Sequence, residues 1–151
     1  MWFINRFPMP PTINNSLASI RIGNSFRQIK SVDARAFDKQ VQIWINRNEA
    51  SLKTIRQEIK AKMDDGFQLR IMCYYCFAHE DLWTLKDKPK RLDTNNRIKA
   101  TLDGIARAIE VDDRHFFGEE HEKVETQQSP PHVMAIIDIH MPNHKSKFFR
   151  E

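Results

Sequence analysis

The sequence predicts a two-layer α/β arrangement, α+β in the broader sense, with a mixed β-sheet packed against two main helices. Three observations lead there. Strand-like and helix-like apolar runs alternate along the chain instead of separating into halves. The last runs are short and lie close together between turn residues, as in hairpins, which adds antiparallel pairing to the sheet. At 151 residues, the chain has the length of one domain, 1–151, able to bury a core without disulfides or structural metals.

The first run, Trp2 to Phe7, reads as a strand, and Pro8, Pro10 and Pro11 end it because proline cannot donate to a ladder. A polar loop with Asn14, Asn15, Gly23 and Asn24 is expected next. Asp33 then caps a long helix, along which Phe37, Val41, Trp44, Ile45, Leu52, Ile55, Ile59 and Met63 recur at helical spacing. That helix should stop near Gly66, and Asn46 to Asn48 is where it would break in two. Gln68 to Phe77 reads as a strand, and a long charged loop containing Trp83 follows it. A second helix should run from about Asn96 to Ile109, with Ile98, Leu102, Ile105, Ala106 and Ile109 as its buried stripe. Asn95, Lys99 and Asp103 fall four apart beside that stripe. A turn at Asp112 and Asp113, a short strand around Lys123 to Thr126 and a last strand from Val133 to His140 complete the fold. The basic tail from about residue 141 is expected to be loose.

Composition excludes several classes. Apolar residues are 40% and charged residues 29%, as in a globular and not a disordered chain. No run of eighteen apolar residues occurs, and MWFINRF lacks the long apolar core of a signal peptide, so the expectation is a cytoplasmic protein without a membrane partner. Cys73 and Cys76 form a C-x-x-C with no second pair, and residues three apart on a strand point to opposite faces. They read as reduced, buried thiols and not as a zinc site. There is no phosphate-binding G-x-x-x-x-G-K-[ST], no G-x-S-x-G and no H-E-x-x-H, and the histidines are scattered.

Net charge is +4, and its distribution carries more information than its size. Lys86, Lys88, Lys90, Arg91, Arg97 and Lys99 fall within fourteen positions, with Asp87 and Asp93 as the only acids among them. Such a cluster is either a solvated loop or a surface that contacts phosphates. Asp93 lies just before a helix start, Lys99 and Asp103 project from the helix, and Asp112-Asp113 follow it. These acids are either a helix cap and a turn, or donors that tertiary folding brings together. The second arrangement would suit phosphodiester hydrolysis, since carboxylates holding Mg²⁺ activate water and relieve charge on the departing oxygen.

Two blocks resemble the RusA family of Holliday junction resolvases. Phe7-Pro-Met-Pro-Pro11-Thr-Ile-Asn14-Asn15 resembles the family's P-x-P-P-S-x-N segment. Asp93-Thr-Asn95-Asn96-Arg97-Ile-Lys99, followed by Asp103 and Asp112-Asp113, resembles its D-x-D-N-x-x-K motif, helix and D-D pair. The likeness spans about Phe3 to Ile139. It implies a RusA-like homodimer that requires Mg²⁺, for which Mn²⁺ substitutes, and that cuts four-way DNA junctions by paired symmetric nicks. It implies Asp93 and Asp113 as metal ligands with Asp112 as helper, Lys99 as the essential lysine and Asn96 as the motif asparagine. Asn14, Asn15, Lys86, Lys88, Lys90, Arg91, Asn96 and Arg97 would contact DNA. One position departs from the pattern: Asn95 stands where the family has an aspartate, so its amide would serve as an uncharged ligand. A junction-binding protein with weakened cutting, or a nuclease acting on forks and flaps, are the alternatives this leaves open.

Overall fold

The computed structural model describes residues 1–12, 17–92 and 94–140. Its main sheet has four strands: β1 (Trp2–Pro8), β4 (Gln68–Phe77), β5 (Phe116–Glu125) and β6 (His132–His140). They are ordered β1-β6-β4-β5. β6 pairs antiparallel with β1 and with β4, while β4 and β5 run parallel, so the sheet is mixed as expected. Parallel neighbours need a crossover. Here it is α4 (Asn95–Ile109), preceded by the single turn α3 (His79–Leu82).

Alternation builds the core. Leu69, Ile71, Cys73, Tyr75 and Phe77 occupy every second position of β4, and all are buried. Val133, Ala135 and Ile137 do the same on β6. The helices complete the cluster with Phe37, Val41, Ile45, Leu52, Ile59, Leu102, Ile105 and Ile109, all at positions the helical period indicates. β1 carries an irregularity between Ile4 and Phe7, with Arg6 at φ 51°. The exposed carbonyl of Asn5 accepts from Trp44 Nε1 at 3.1 Å. α4 comes close to this strand at Gly104, where a Cβ would lie 2.7 Å from Phe7 Cζ.

The long first helix is two helices, α1 (Val32–Arg47) and α2 (Glu49–Asp64), broken within the segment where the sequence carries Asn46 to Asn48. Asn48 makes the break: its backbone N–H and its side chain both donate to Trp44 O, and its own carbonyl starts α2 by accepting from Leu52 N. The cap of α1 is Ser31, whose hydroxyl accepts from Ala34 N at 3.2 Å, and Asp33 sits within the first turn. β5 extends over ten residues where the sequence suggested a short strand at its end, because glutamates at the solvated edge dilute its apolar signal. Most unlike expectation, the polar loop after the prolines contains a ribbon of β2 (Leu17–Ile22) and β3 (Ser25–Lys30), separate from the main sheet. The tail beyond His140 lies outside the described residues. Among the described residues, no helix is long and apolar enough to cross a membrane.

Candidate metal and nucleic-acid site

The basic cluster begins on a small ordered hairpin. Trp83 and Pro89 form an antiparallel bridge, Thr84 N donates to Lys88 O at 2.8 Å, and Lys90 N donates to Leu82 O at 2.7 Å. Asp87 makes the turn at φ 54°, and the Thr84 hydroxyl accepts from the amides of Lys86 and Lys88. This ties the backbone down and leaves Leu85, Lys86 and Lys88 exposed at the tip. Arg91 is exposed, whereas the Lys90 ammonium donates to Glu80 O at 2.5 Å and so braces the hairpin.

From the hairpin, the chain passes to the start of α4. Leu92 O accepts from Lys123 Nζ at 3.1 Å, which anchors the approach to β5. Asp93, Asn14, Asn15 and the side chain of Asn96 lie outside the described residues. Asn95 opens α4 and is exposed. One turn on, Lys99 lies 3.5 Å from Asp103 in an exposed i,i+4 pair. Pairs of this kind contribute little to stability, so the ammonium is not committed to the fold. Arg97 is half-buried: its Nε donates to Pro10 O at 3.0 Å, and its guanidinium lies 5.5 Å from the centre of the Phe77 ring. It therefore bolts the first turn of α4 to the proline segment and to the end of β4. Sequence reasoning took it only as a phosphate contact. The bolt also joins the two blocks of the resemblance, 87 residues apart in the chain.

The second acidic segment lies elsewhere. Asp112 and Asp113 are exposed at a 3-10 turn, Asp113–His115, immediately before β5. The Asp112 carboxylate accepts from Arg114 N at 3.0 Å, and that hydrogen bond, with the Arg114 charge adding to it, holds its pKa below the usual carboxylate range. His115 Nδ1 meets Gln68 Oε1 at 2.9 Å, placing this turn beside the beginning of β4. α4 starts beside the end of β4 and returns to its beginning. Fourteen helical steps separate Asn95 from Ile109, roughly 21 Å at 1.5 Å per residue, and ten separate Lys99 from it, roughly 15 Å. Within one copy, the 95–99 end and the 112–113 end therefore do not meet. Carboxylate and amide oxygens are suitable donors for a hard divalent cation, but one chain does not close this set around an ion. Among the described residues, no group of three or more His, Cys, Asp or Glu stands together as a ligand set.

Cys73 and Cys76 are both free and buried, as the sequence indicated. Burial pushes the Cys73 thiol from the usual 9.0 up to about 12, with the Glu119 charge adding to the shift. Burial likewise raises the pKa of Tyr75. A folded-state value above the unfolded one means that the fold favours the protonated thiol. This contribution is complete below pH 9 and is lost as pH rises from 9 toward 12. Stability measured by denaturant titration should fall across that window, and Cys73→Ala should flatten the fall. An equally steep fall in the variant would assign the effect to other groups.

The chain matches no protein-family model, and it matches no curated protein.

Proposed function

We propose that this chain is a Mg²⁺-dependent endonuclease of RusA type, acting as a homodimer that cuts four-way DNA junctions by paired symmetric nicks in recombination, repair or phage-type DNA processing. The observation that carries this reading is the Arg97–Pro10 bolt. It brings the proline block and the Asn95–Lys99 block to one end of the molecule, beside the exposed Lys86, Lys88 and Arg91. A cationic surface next to the motif lysine suits a polyanionic substrate.

The length of α4 supports the homodimer. If Asp113 and the 93–99 segment serve one site, they do so from two copies. Among the described residues, β5 is an edge of the sheet, and α4 is the crossover leading to it. A two-fold axis beside that edge would set two α4 helices antiparallel, with the start of each near the end of the other. On the helix side of that edge, a register centred on His121 would face Glu119 with Lys123 of the second copy. Two composite sites per dimer match the two-fold symmetry of a four-way junction.

Asp93→Asn tests the assignment of the first acid. It should reduce nicking in Mg²⁺ or Mn²⁺ by about 100-fold or more while junction binding persists, because the chemistry requires the carboxylate and the affinity does not. Cutting at the unmodified rate would remove Asp93 from the site. Asn95 favours a second reading, a junction-binding protein with weakened cutting. Under the ligand reading, Asn95→Asp lowers the Mg²⁺ concentration needed for half-maximal cutting; superimposable titrations would leave Asn95 as a helix-start residue only.

A further inference from the structure

We infer that the β2–β3 ribbon is a DNA-contacting arm that lies in a groove of the duplex beside the cutting site. The inference rests on the DNA reading above and adds to it a contact surface that neither motif block contains. Among the described residues, the ribbon is a two-stranded sheet with no hydrogen-bonded neighbour strand. All its side chains from Ser19 to Phe26 are exposed, including Ile22 at 52% and Phe26 at 77%. An isolated two-stranded hairpin is marginal in water. Folding of the body does not explain why Phe26 is held in solvent; a surface that covers it does.

Charge identifies the kind of surface. From Met1 to Val32 the chain contains no aspartate or glutamate, yet it carries Arg6, Arg21, Arg27 and Lys30. Lys30 is paired with Asp38 at 2.6 Å. Arg21 stands directly across the ribbon from Phe26, so a cation and an aromatic ring share one face at the tip. Arg21 Nε donates to Gly23 O at 3.0 Å, which fixes the guanidinium over the turn. A positive face with an adjacent ring suits phosphate and base edges, and an acid-free surface does not match another copy of itself. Size agrees as well: two strands about 4.8 Å apart fit a major groove about 12 Å wide.

Position links the ribbon to the site. Pro10 is bolted to the start of α4, and Leu17 begins β2 seven residues later, within roughly 25 Å at full extension. The root of the ribbon is thereby kept within that reach of the start of α4, and its other strand is tied to α1 through Lys30 and Asp38. A junction held there would send one of its duplex arms past the ribbon.

The test uses the full chain and the double variant Arg21→Ala/Phe26→Ala, both positions being exposed and outside the core. Binding is read by fluorescence anisotropy across a salt series, on four-way junctions with long arms and with arms trimmed to a few base pairs. On long arms, the variant should bind about tenfold more weakly, with a slope of log affinity against log salt lower by about 1. On trimmed arms, variant and parent should bind alike. Hydroxyl-radical footprinting should show protection on one arm that the variant loses. Unchanged long-arm affinity, slope and footprint would overturn the inference while leaving the DNA reading intact. So would a variant that binds DNA normally but changes its self-association by light scattering. If the parent chain binds no junction at all, the DNA reading falls and the ribbon inference falls with it.

Discussion

Chains carrying Lys99→Ala and chains carrying Asp113→Asn, each inactive alone, are expected to cut four-way junctions when co-expressed. The expectation follows from α4, which carries Lys99 on its second turn and reaches the Asp113 turn only beyond its far end. Each substitution alone should reduce nicking by about 10²–10³-fold, the usual cost of removing one charge-stabilising group from a site. In a mixed dimer, one composite site receives both defects and the other receives none. Random assortment makes about half of the dimers mixed, each with one of two sites intact, so about a quarter of the parent nicking should return. The product should be a junction nicked on one strand instead of two resolved duplexes, because paired cuts need both sites. Mn²⁺ binding by calorimetry gives a second readout: it should persist in Lys99→Ala, weaken in Asp113→Asn and lie midway in the mixture, because the carboxylate and not the lysine holds the ion. Two inactive parents and an inactive mixture would place the site within one copy and refute the shared arrangement. Active parents would instead show that Lys99 and Asp113 do not belong to the chemistry.

Phe7→Ala is expected to cost about 3–5 kcal/mol, the range for deleting a buried aromatic ring. Phe7 is fully buried, with edge-on contacts to Phe37 at 6.3 Å and to Trp44 at 5.3 Å. Its ring also fills the space over Gly104. The same packing predicts a loss at the opposite surface: Gly104→Ala adds a methyl group where Phe7 Cζ already stands, and the ring has Phe37 and Trp44 around it. Overpacking of this kind costs about 1–3 kcal/mol, and the better helix propensity of alanine offsets about 1 kcal/mol of it, leaving a net loss of up to about 2 kcal/mol. Both are read from the denaturant midpoint at constant m-value. If Gly104→Ala stabilised the protein by the full propensity gain of about 1 kcal/mol, the helix would not be seated on β1 as closely as described. A loss under about 1 kcal/mol for Phe7→Ala would contradict the central place of that ring in the core.

Much of this architecture is legible in the residues, and the gaps have physical causes. Helical periodicity marks α1, α2 and α4 because each buries one face, and period-two alternation marks β4 and β6 because each buries one side. β5 is obscured because it is a parallel edge strand with Glu119, Glu120, Glu122 and Glu125 along it. The β2–β3 ribbon is missed because none of its described residues joins the core. The alternation of Ile20, Ile22 and their neighbours around Gly23-Asn24 was the available signal, since a two-residue Gly-containing turn between alternating runs indicates a hairpin. At the candidate site, the sequence supplies residue types and order but not separation. Asn95, Lys99, Asp103, Asp112 and Asp113 read as one set along the chain, and only the helix between them shows that one copy holds them as two. Arg97 reads as one more cation of the cluster, and its bond to Pro10 depends on a long-range contact that no local pattern encodes.

The most direct test of the central claim is a cutting assay that offers labelled four-way junction, Y-fork and linear duplex to the purified chain, with and without Mg²⁺. The account predicts symmetric paired nicks in the four-way junction, present with Mg²⁺, retained when Mn²⁺ replaces it and absent with chelator, and no cutting of linear duplex. Equal cutting of all three substrates, or no metal-dependent cutting of the junction by either the parent chain or Asn95→Asp, would contradict it.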